Sequence, residues 1–258
     1  MVIDKWTLKR VLIAARTYPT PAAKGIEVSC TAGITDDGKW IRLFPVPYRF
    51  LSRDRKFRKY QWIDVRVMKA NNDPRPESFR TDIDSITILS EPLPTDSKWQ
   101  ARKEIVYPLK AHCLCCLKTE CDRSGSPTLG LFKPRSINKL VIEPDSPDWT
   151  PDELRKLQRI TLFQNAPPRE LEKLPYRFRY RFQCDEPDCP THTFLCTDWE
   201  MGGAFLRFRK RYGSAWEAKF RQRFEDEMIN KNDTHFYVGT LHQHPGTWII
   251  VGLFYPMR

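Results

Sequence analysis

The sequence predicts an α+β protein rich in strand, with small barrel architecture and a C-terminal helical pair packed on antiparallel strands. Three observations predict it. Five short β-type runs joined by Gly, Pro and Asp turns fill most of residues 1–95. Two helical patterns with one apolar face each sit late in the chain, and no parallel βαβ rhythm connects the strands. The division expected from this is a β-rich unit over 1–95 and an α+β unit over 96–258, with a boundary near 92–112 and no linker to announce it.

The elements follow in order. "RVLIAARTY" is a buried-strand run, and "IEVSCTAGI" alternates into a hairpin turn at "TDDG". "KWIRLFPV" returns and should stop at its prolines, which cannot donate to a ladder. "QWIDVRVMKA" and "DSITILSEPL" complete the set. "TDSKWQARKEIVYPL" reads as a helix capped by Asp96 or Ser97 and ended by Pro108. "AHCLCCLKTECDRSGSP" carries turn residues and no periodicity. "TLGLFKP" and "NKLVIEP" are strand-like, and "DWTPDELRKLQRI" opens a helix with Thr150 as cap and Pro151 at its first position. "YRFRYRF" is a strand. Phe205, Phe208 and Tyr212 then recur at helical spacing to Gly213, and Ser214 with Glu217 predicts a capping box for a second helix bearing Trp216, Phe220 and Phe224. "HFYVGTL" and "TWIIVGLFY" close the chain around "HQHPG".

A net charge of +11 and a pI near 9.3 favour polyanionic partners. No run of apolar residues is long enough to span a membrane, and the N-terminus lacks a secretory pattern, which predicts a cytoplasmic protein. Eight cysteines without an export signal point to metal rather than to disulfides.

Cys184, Cys189, His192 and Cys196 offer three thiolates and an imidazole within thirteen residues, a ligand set that zinc uses structurally. Cys196 is the weakest member, because it falls in the strand run "HTFLCTDW". Cys113, Cys116 and Cys121, with His112 or Cys115 as a fourth, form a denser group. That group suits a second zinc, completion of the first site, or an iron–sulfur cluster.

Catalytic signals are weak. Asp198 and Glu200 lie beside the Cys/His run, yet at a helix start Asp198 is better read as a cap and Glu200 as a complement to the dipole. His242 and His244 are turn residues of a kind that can ligate a metal or relay protons, but solvated turn positions are the commoner role, and no phosphate-binding loop, nucleophile elbow or nuclease pattern accompanies them. No chemical step can be assigned, and the reading leans away from an enzyme.

Nucleic-acid signals are stronger. In a strand, Tyr176, Phe178, Tyr180 and Phe182 take one face and Arg177, Arg179 and Arg181 the other. With the aromatics in the core, the arginines form a cationic stripe at about 7 Å spacing. Arg55, Lys56, Arg58 and Lys59 in "RFLSRDRKFRKY" and Arg207, Lys210 and Arg211 in "RFRKRY" repeat the mixture of aromatics and cations.

The blocks "EVSCTAGITDDGKWIRLFPVPYR", "QWIDVRV", "RPESFR", "LGLFKP", "FRYRFQCDEPDCPTHTFLCTDWEMGGAF" and "WIIVGLFYP" resemble an uncharacterised bacterial family. That family has a domain of two OB-like (oligonucleotide-binding) barrels. The resemblance spans most of the chain and implies barrels whose strands and loops bind single strands. It also implies that Cys184, Cys189 and His192 belong to the family pattern, whereas Cys196 is often apolar there and the "CLCC" cluster is less general. The leading expectation is a metal-stabilised protein that binds single-stranded DNA or RNA, accessory to DNA defence or processing. The alternatives are a metal-dependent nuclease or hydrolase, an iron–sulfur protein, and a basic subunit that docks a protein partner.

Overall fold

The computed structural model describes residues 5–22, 27–158 and 170–258. The first unit is built from β1 (Thr7–Arg16), β2 (Glu27–Thr35), β3 (Trp40–Val46), β4 (Trp62–Lys69) and β5 (Ser78–Thr81). β1 pairs with β2 and with β4, β2 pairs with β3, β3 runs parallel to β5, and β5 returns to β4. These pairings close a ring in the order 1-2-3-5-4-1, a five-stranded Greek-key barrel of OB type. Its interior is a branched aliphatic core: Val11, Ile13, Ile41, Leu43, Ile63, Val65 and Val67. Leu51 and Phe57, from the segment between β3 and β4, are buried in the same core.

The fifth strand is a correction to the sequence reading. "DSITILSEPL" pairs only at Thr87–Ile88, while Ser78 and Phe79 form the parallel ladder with Arg42 and Leu43. Ile86 is buried in the barrel core instead of extending a strand. Ile26, which opens the second predicted strand run, lies outside the described residues, as do Arg159 and Ile160 at the end of the second predicted helix.

α1 (Asp96–Val106) follows the barrel. Neither Asp96 nor Ser97 caps it: Thr95 holds the cap position and makes no side-chain cap bond, and Ser97, Lys98 and Trp99 have φ of 47°, 56° and 66°. Three left-handed residues with side chains cost about 1–2 kcal/mol each, so other contacts must hold them there. Trp99 supplies these by packing edge-on against Tyr60 and Phe254. The cysteine-rich segment is also a correction. It forms the helix α2 (Leu114–Ser124), in which the Cys113 thiol accepts the Cys116 N–H at 2.9 Å as the N-cap. Gly125 ends it at φ 72°, a conformation open to glycine at no steric cost.

The second unit contains β6 (Leu129–Phe132), β7 (Ser136–Pro144), β8 (Tyr176–Gln183), β9 (His192–Leu195), β10 (His235–Thr240) and β11 (Trp248–Phe254). β6 and β7 follow one another across a short break that contains Pro134, and belong to two three-stranded sheets. β7 pairs with β8, β8 with β9, β11 with β10 and β10 with β6. A parallel bridge between Cys196 and Ile250 joins the end of β9 to β11. The order of pairing in the first barrel thus recurs in two three-stranded sheets linked by that single bridge, although no repeat is visible in the sequence.

Helix α3 (Pro151–Leu157) carries the capping box of Thr150 and Glu153. Between β9 and β10 lie α4 (Trp199–Tyr212), α5 (Trp216–Arg221) and α6 (Glu227–Asn230), the last two joined by a π turn. The capping box expected of Ser214 and Glu217 does not form, because Gly213–Ala215 is a 3-10 turn that leads straight into α5. Met201, Phe205, Phe220 and Phe224 from these helices pack on Phe178, Tyr180 and Phe182.

The barrels share a core. Ala14, Ala15, Ala32 and Ile34 of the first meet Leu129, Leu131, Tyr237, Ile249 and Val251 of the second. The approach is close enough that a Cβ at Gly252 would fall 2.5 Å from that of Ala15. Arg42, on β3, is almost wholly buried there and bonds Ser78 Oγ, Thr128 Oγ1 and the Thr128 carbonyl at 3.0, 3.1 and 2.9 Å. Thr128 in turn donates its N–H to Glu77 at 2.8 Å, so the guanidinium is compensated through a bonded chain. Most of the outer face of β2 and β3, where barrels of this type take oligonucleotides, is therefore covered by the second unit, and Phe44 near the end of β3 stays exposed.

Candidate metal centre and nucleic-acid interface

The turn between β8 and β9 delivers three ligand atoms to one point. Cys184 Sγ lies 2.9 Å from Cys189 Sγ, and His192 Nε2 lies 3.9 and 3.2 Å from those sulfurs. The fourth atom comes from the first turn of α2: Cys115 Sγ is 3.4 Å from Cys184 Sγ, 3.8 Å from Cys189 Sγ and 3.6 Å from His192 Nε2. Six comparable edges describe a tetrahedron. With metal–sulfur bonds of about 2.3 Å and a metal–nitrogen bond near 2.0 Å, edges of roughly 3.5–3.8 Å are expected, and a small opening of the Cys184–Cys189 edge would meet them. The four groups could hold a metal ion.

Their electrostatics suit a cation. Burial, then the charge of Lys118, lowers the His192 pKa and favours the neutral ring that a ligand must be. Burial and the neighbouring Cys184 push the Cys115 thiol up to about 12. Burial opposes the Cys184 thiolate, but hydrogen bonds from Cys189 and Cys115 outweigh it and hold that thiol below its ordinary value. A divalent ion bound here would displace the thiol protons that remain.

Cys196 is not part of this centre, which corrects the sequence reading. It lies buried at the bridge to Ile250, its N–H bonded to the Phe178 carbonyl at 2.8 Å. Cys121 sits near the end of α2 and belongs to neither cluster found among the described residues. Cys113, Cys116 and Glu186 form the other cluster, with the Glu186 carboxylate 3.4 and 3.3 Å from the two sulfurs and 3.9 Å from His112. Glu186 thereby ties the α2 N-terminus to the turn that carries the first three ligands.

Asp198 caps α4. Its Oδ1 accepts from Glu200 and Met201 N–H at 2.7 and 3.1 Å, and its Oδ2 accepts from Leu253 N–H at 2.9 Å. Burial raises its pKa, with Lys59 acting in the other direction. Both oxygens are thus spent on backbone. Glu200 pairs with Lys59 at 3.5 Å. His242 lies 3.5 Å from Asp73, and His244 is exposed on the turn. These four residues are not brought together.

Of the cationic candidates, the strand residues stand as the period predicts: Phe178, Tyr180 and Phe182 are buried, and Arg177 and Arg181 are exposed. Arg177 pairs with Asp145 at 2.9 Å and half-buried Arg179 with Glu143 at 2.8 Å. Arg181 instead stands opposite Lys139 and Thr193, with no carboxylate partner among the described residues. Lys139 is a contributor the sequence did not single out; only the β7–β8 register reveals it. Arg207, Arg209, Lys210 and Arg211 line the exposed last turns of α4, likewise without carboxylate partners among the described residues. Arg55 pairs with Asp84 at 2.6 Å and Arg58 with Glu91 at 2.7 Å, while Lys56 is half-buried. Lys59 is a correction. It points into the junction between the barrels, donating to the Leu253 carbonyl at 2.8 Å, and is not a surface cation.

Fold and site together define a two-unit, OB-type protein with a Cys/His cluster between a helix start and a strand turn. Residues 110–258 match the family described as Domain of unknown function (DUF8757), and residues 7–108 match Domain of unknown function (DUF8758). The first match covers more than half of the chain, and the protein belongs to that family. No curated protein matches it. Among solved structures, similarity is found to a chain of "Structure and Conformational Change of a Replication Protein A Heterotrimer Bound to ssDNA", at 9% identity and a TM-score of 0.25. The alignment covers 99% of this chain and 66% of that one, just under two thirds of its length. No helix among the described residues is long and apolar enough to cross a membrane.

Proposed function

We propose that this is a zinc-stapled protein that binds single-stranded nucleic acid along the outer face of β7, β8 and β9. The observation that carries the reading is the Arg181–Lys139 pairing on that face. Like charges directly opposite each other destabilise a sheet, and a backbone phosphate between them reverses the sign. Most of the corresponding face of the first barrel is packed away, which favours the second unit as the surface. Zinc suits the three-thiolate, one-imidazole set and closes it, so its role is to fix the β8–β9 turn against α2. The test is fluorescence anisotropy with an unstructured labelled oligonucleotide across a salt series. Affinity that falls steeply with salt is expected, and no detectable binding at low salt would refute the reading.

A further inference from the structure

A cavity of about 410 Å³ lies where the first barrel, α1 and the start of α4 meet. Its walls combine four cations, Arg16, Arg58, Lys59 and Arg102, with two carboxylates and a set of aromatic rings. Lys59 is committed to Glu200 and Asp198 and Arg58 to Glu91, which leaves Arg16 and Arg102 without an ion-pair partner among the described residues. The Arg16 guanidinium lies 3.4 Å from the ring centre of Tyr48 and 4.3 Å from that of Trp199, in the corner made by two rings set at 71° to each other. Its Nε is buried without a hydrogen-bond partner, a donor left aimed at nothing. Arg102 lies over Tyr60 and Trp99 at 4.2 and 4.5 Å and spends Nε and Nη2 on the Leu93 carbonyl.

Backbone strain points to the same place. The non-glycine residues with positive φ among those described are Tyr60, Ser97, Lys98 and Trp99. Tyr60 and Trp99 line this cavity, and Ser97 and Lys98 set the angle of Trp99. Left-handed side-chain residues gathered at one cavity are characteristic of ligand clamps.

We propose that the cavity binds a nucleoside monophosphate, free or as the phosphorylated end of a strand, with its base on the aromatic wall and its phosphate toward Arg16. The size suits one such unit, and stacked arginines recognise phosphate while rings hold a base. This site is separate from the β7–β9 face, so either can fail without the other.

Isothermal titration of the full zinc-loaded chain with adenosine 5′-monophosphate, adenosine and inorganic phosphate is the test. Saturable binding of one monophosphate per chain is expected, with adenosine and phosphate each at least about tenfold weaker. Arg16→Met should lose at least about tenfold in affinity. Hydrogen exchange over 96–106 in the unaltered protein should slow on addition of the monophosphate, which locates the site even if Arg16→Met does not fold. A 5′-phosphorylated oligonucleotide that competes where its hydroxyl-ended counterpart does not identifies the strand end as the source; competition by the free nucleotide alone identifies the small molecule. Absence of saturable binding, a folded Arg16→Met variant of unchanged affinity, or unchanged exchange over 96–106 in the bound protein would each overturn the proposal.

Discussion

The sulfur of Cys115 lies 3.4 Å from that of Cys184, sixty-nine residues further along the chain. The contact joins the first turn of a helix to a strand turn and completes four ligand atoms that no local stretch of sequence contains. The first prediction is that the purified, colourless protein carries about one tightly held zinc per chain, read by elemental analysis. Cys115→Ser should abolish it, and Cys196→Ser should leave metal content unchanged. A brown protein absorbing near 400 nm would instead indicate iron–sulfur.

Removing the metal should loosen the β8–β9 turn. A strong chelator is expected to lower the thermal midpoint substantially, since binding energy at such a site is folding energy. Unaltered melting after demonstrated zinc loss would show that the quartet staples nothing.

The strand-binding reading makes a prediction about salt. A Lys139→Gln, Arg181→Gln double variant removes two phosphate contacts, and the slope of log affinity against log salt should shrink by about 1.4. An unchanged slope would place the interface elsewhere, with the cationic end of α4 the next surface to test.

The junction between the barrels rests on Arg42. Arg42→Met keeps much of the stem but leaves the Thr128 carbonyl and buried Glu77 without the cation, and a loss of about 3 kcal/mol is expected in urea unfolding. A loss below about 1 kcal/mol would mean that the bonded chain contributes little beyond packing.

His235 sets an acid limit. Burial pushes its pKa down to about 4, against an ordinary value of 6.5, although the Asp233 carbonyl at 2.9 Å works in the other direction. The folded state thus binds fewer protons than the unfolded state between those values, so stability rises with pH. The contribution is complete above pH 6.5 and declines towards pH 4, by about 3 kcal/mol in all. His235→Asn should flatten that part of the profile, measured by urea midpoints at pH 7 and pH 5.

Much of the architecture was legible because it is written in local periods. The two-residue alternation of Tyr176–Phe182 separated core from cation stripe correctly, and Thr150 with Glu153 marked a helix start by capping chemistry alone. What was illegible depends on distance. Ser78–Thr81 becomes a strand through its parallel contact with β3, which its own short sequence does not announce. Leu114–Ser124 is too polar and too rich in cysteine to show a helical stripe, and its cap is a thiol. The fourth metal ligand was hidden for the same reason: His112, Cys113, Cys115, Cys116 and Cys121 are all candidates in sequence, and only the approach of α2 selects Cys115.

The covering of the first barrel's outer face also sets how freely its sequence can change. Ala14, Ala32 and Ile34 look outward from the barrel yet have no access to water. Those strands therefore have no side on which substitutions are cheap. The exposed strands of the second barrel can exchange charged residues for others with little effect on folding. One copy of the topology is thus held still by its neighbour, and the other is the half in which new specificities can accumulate.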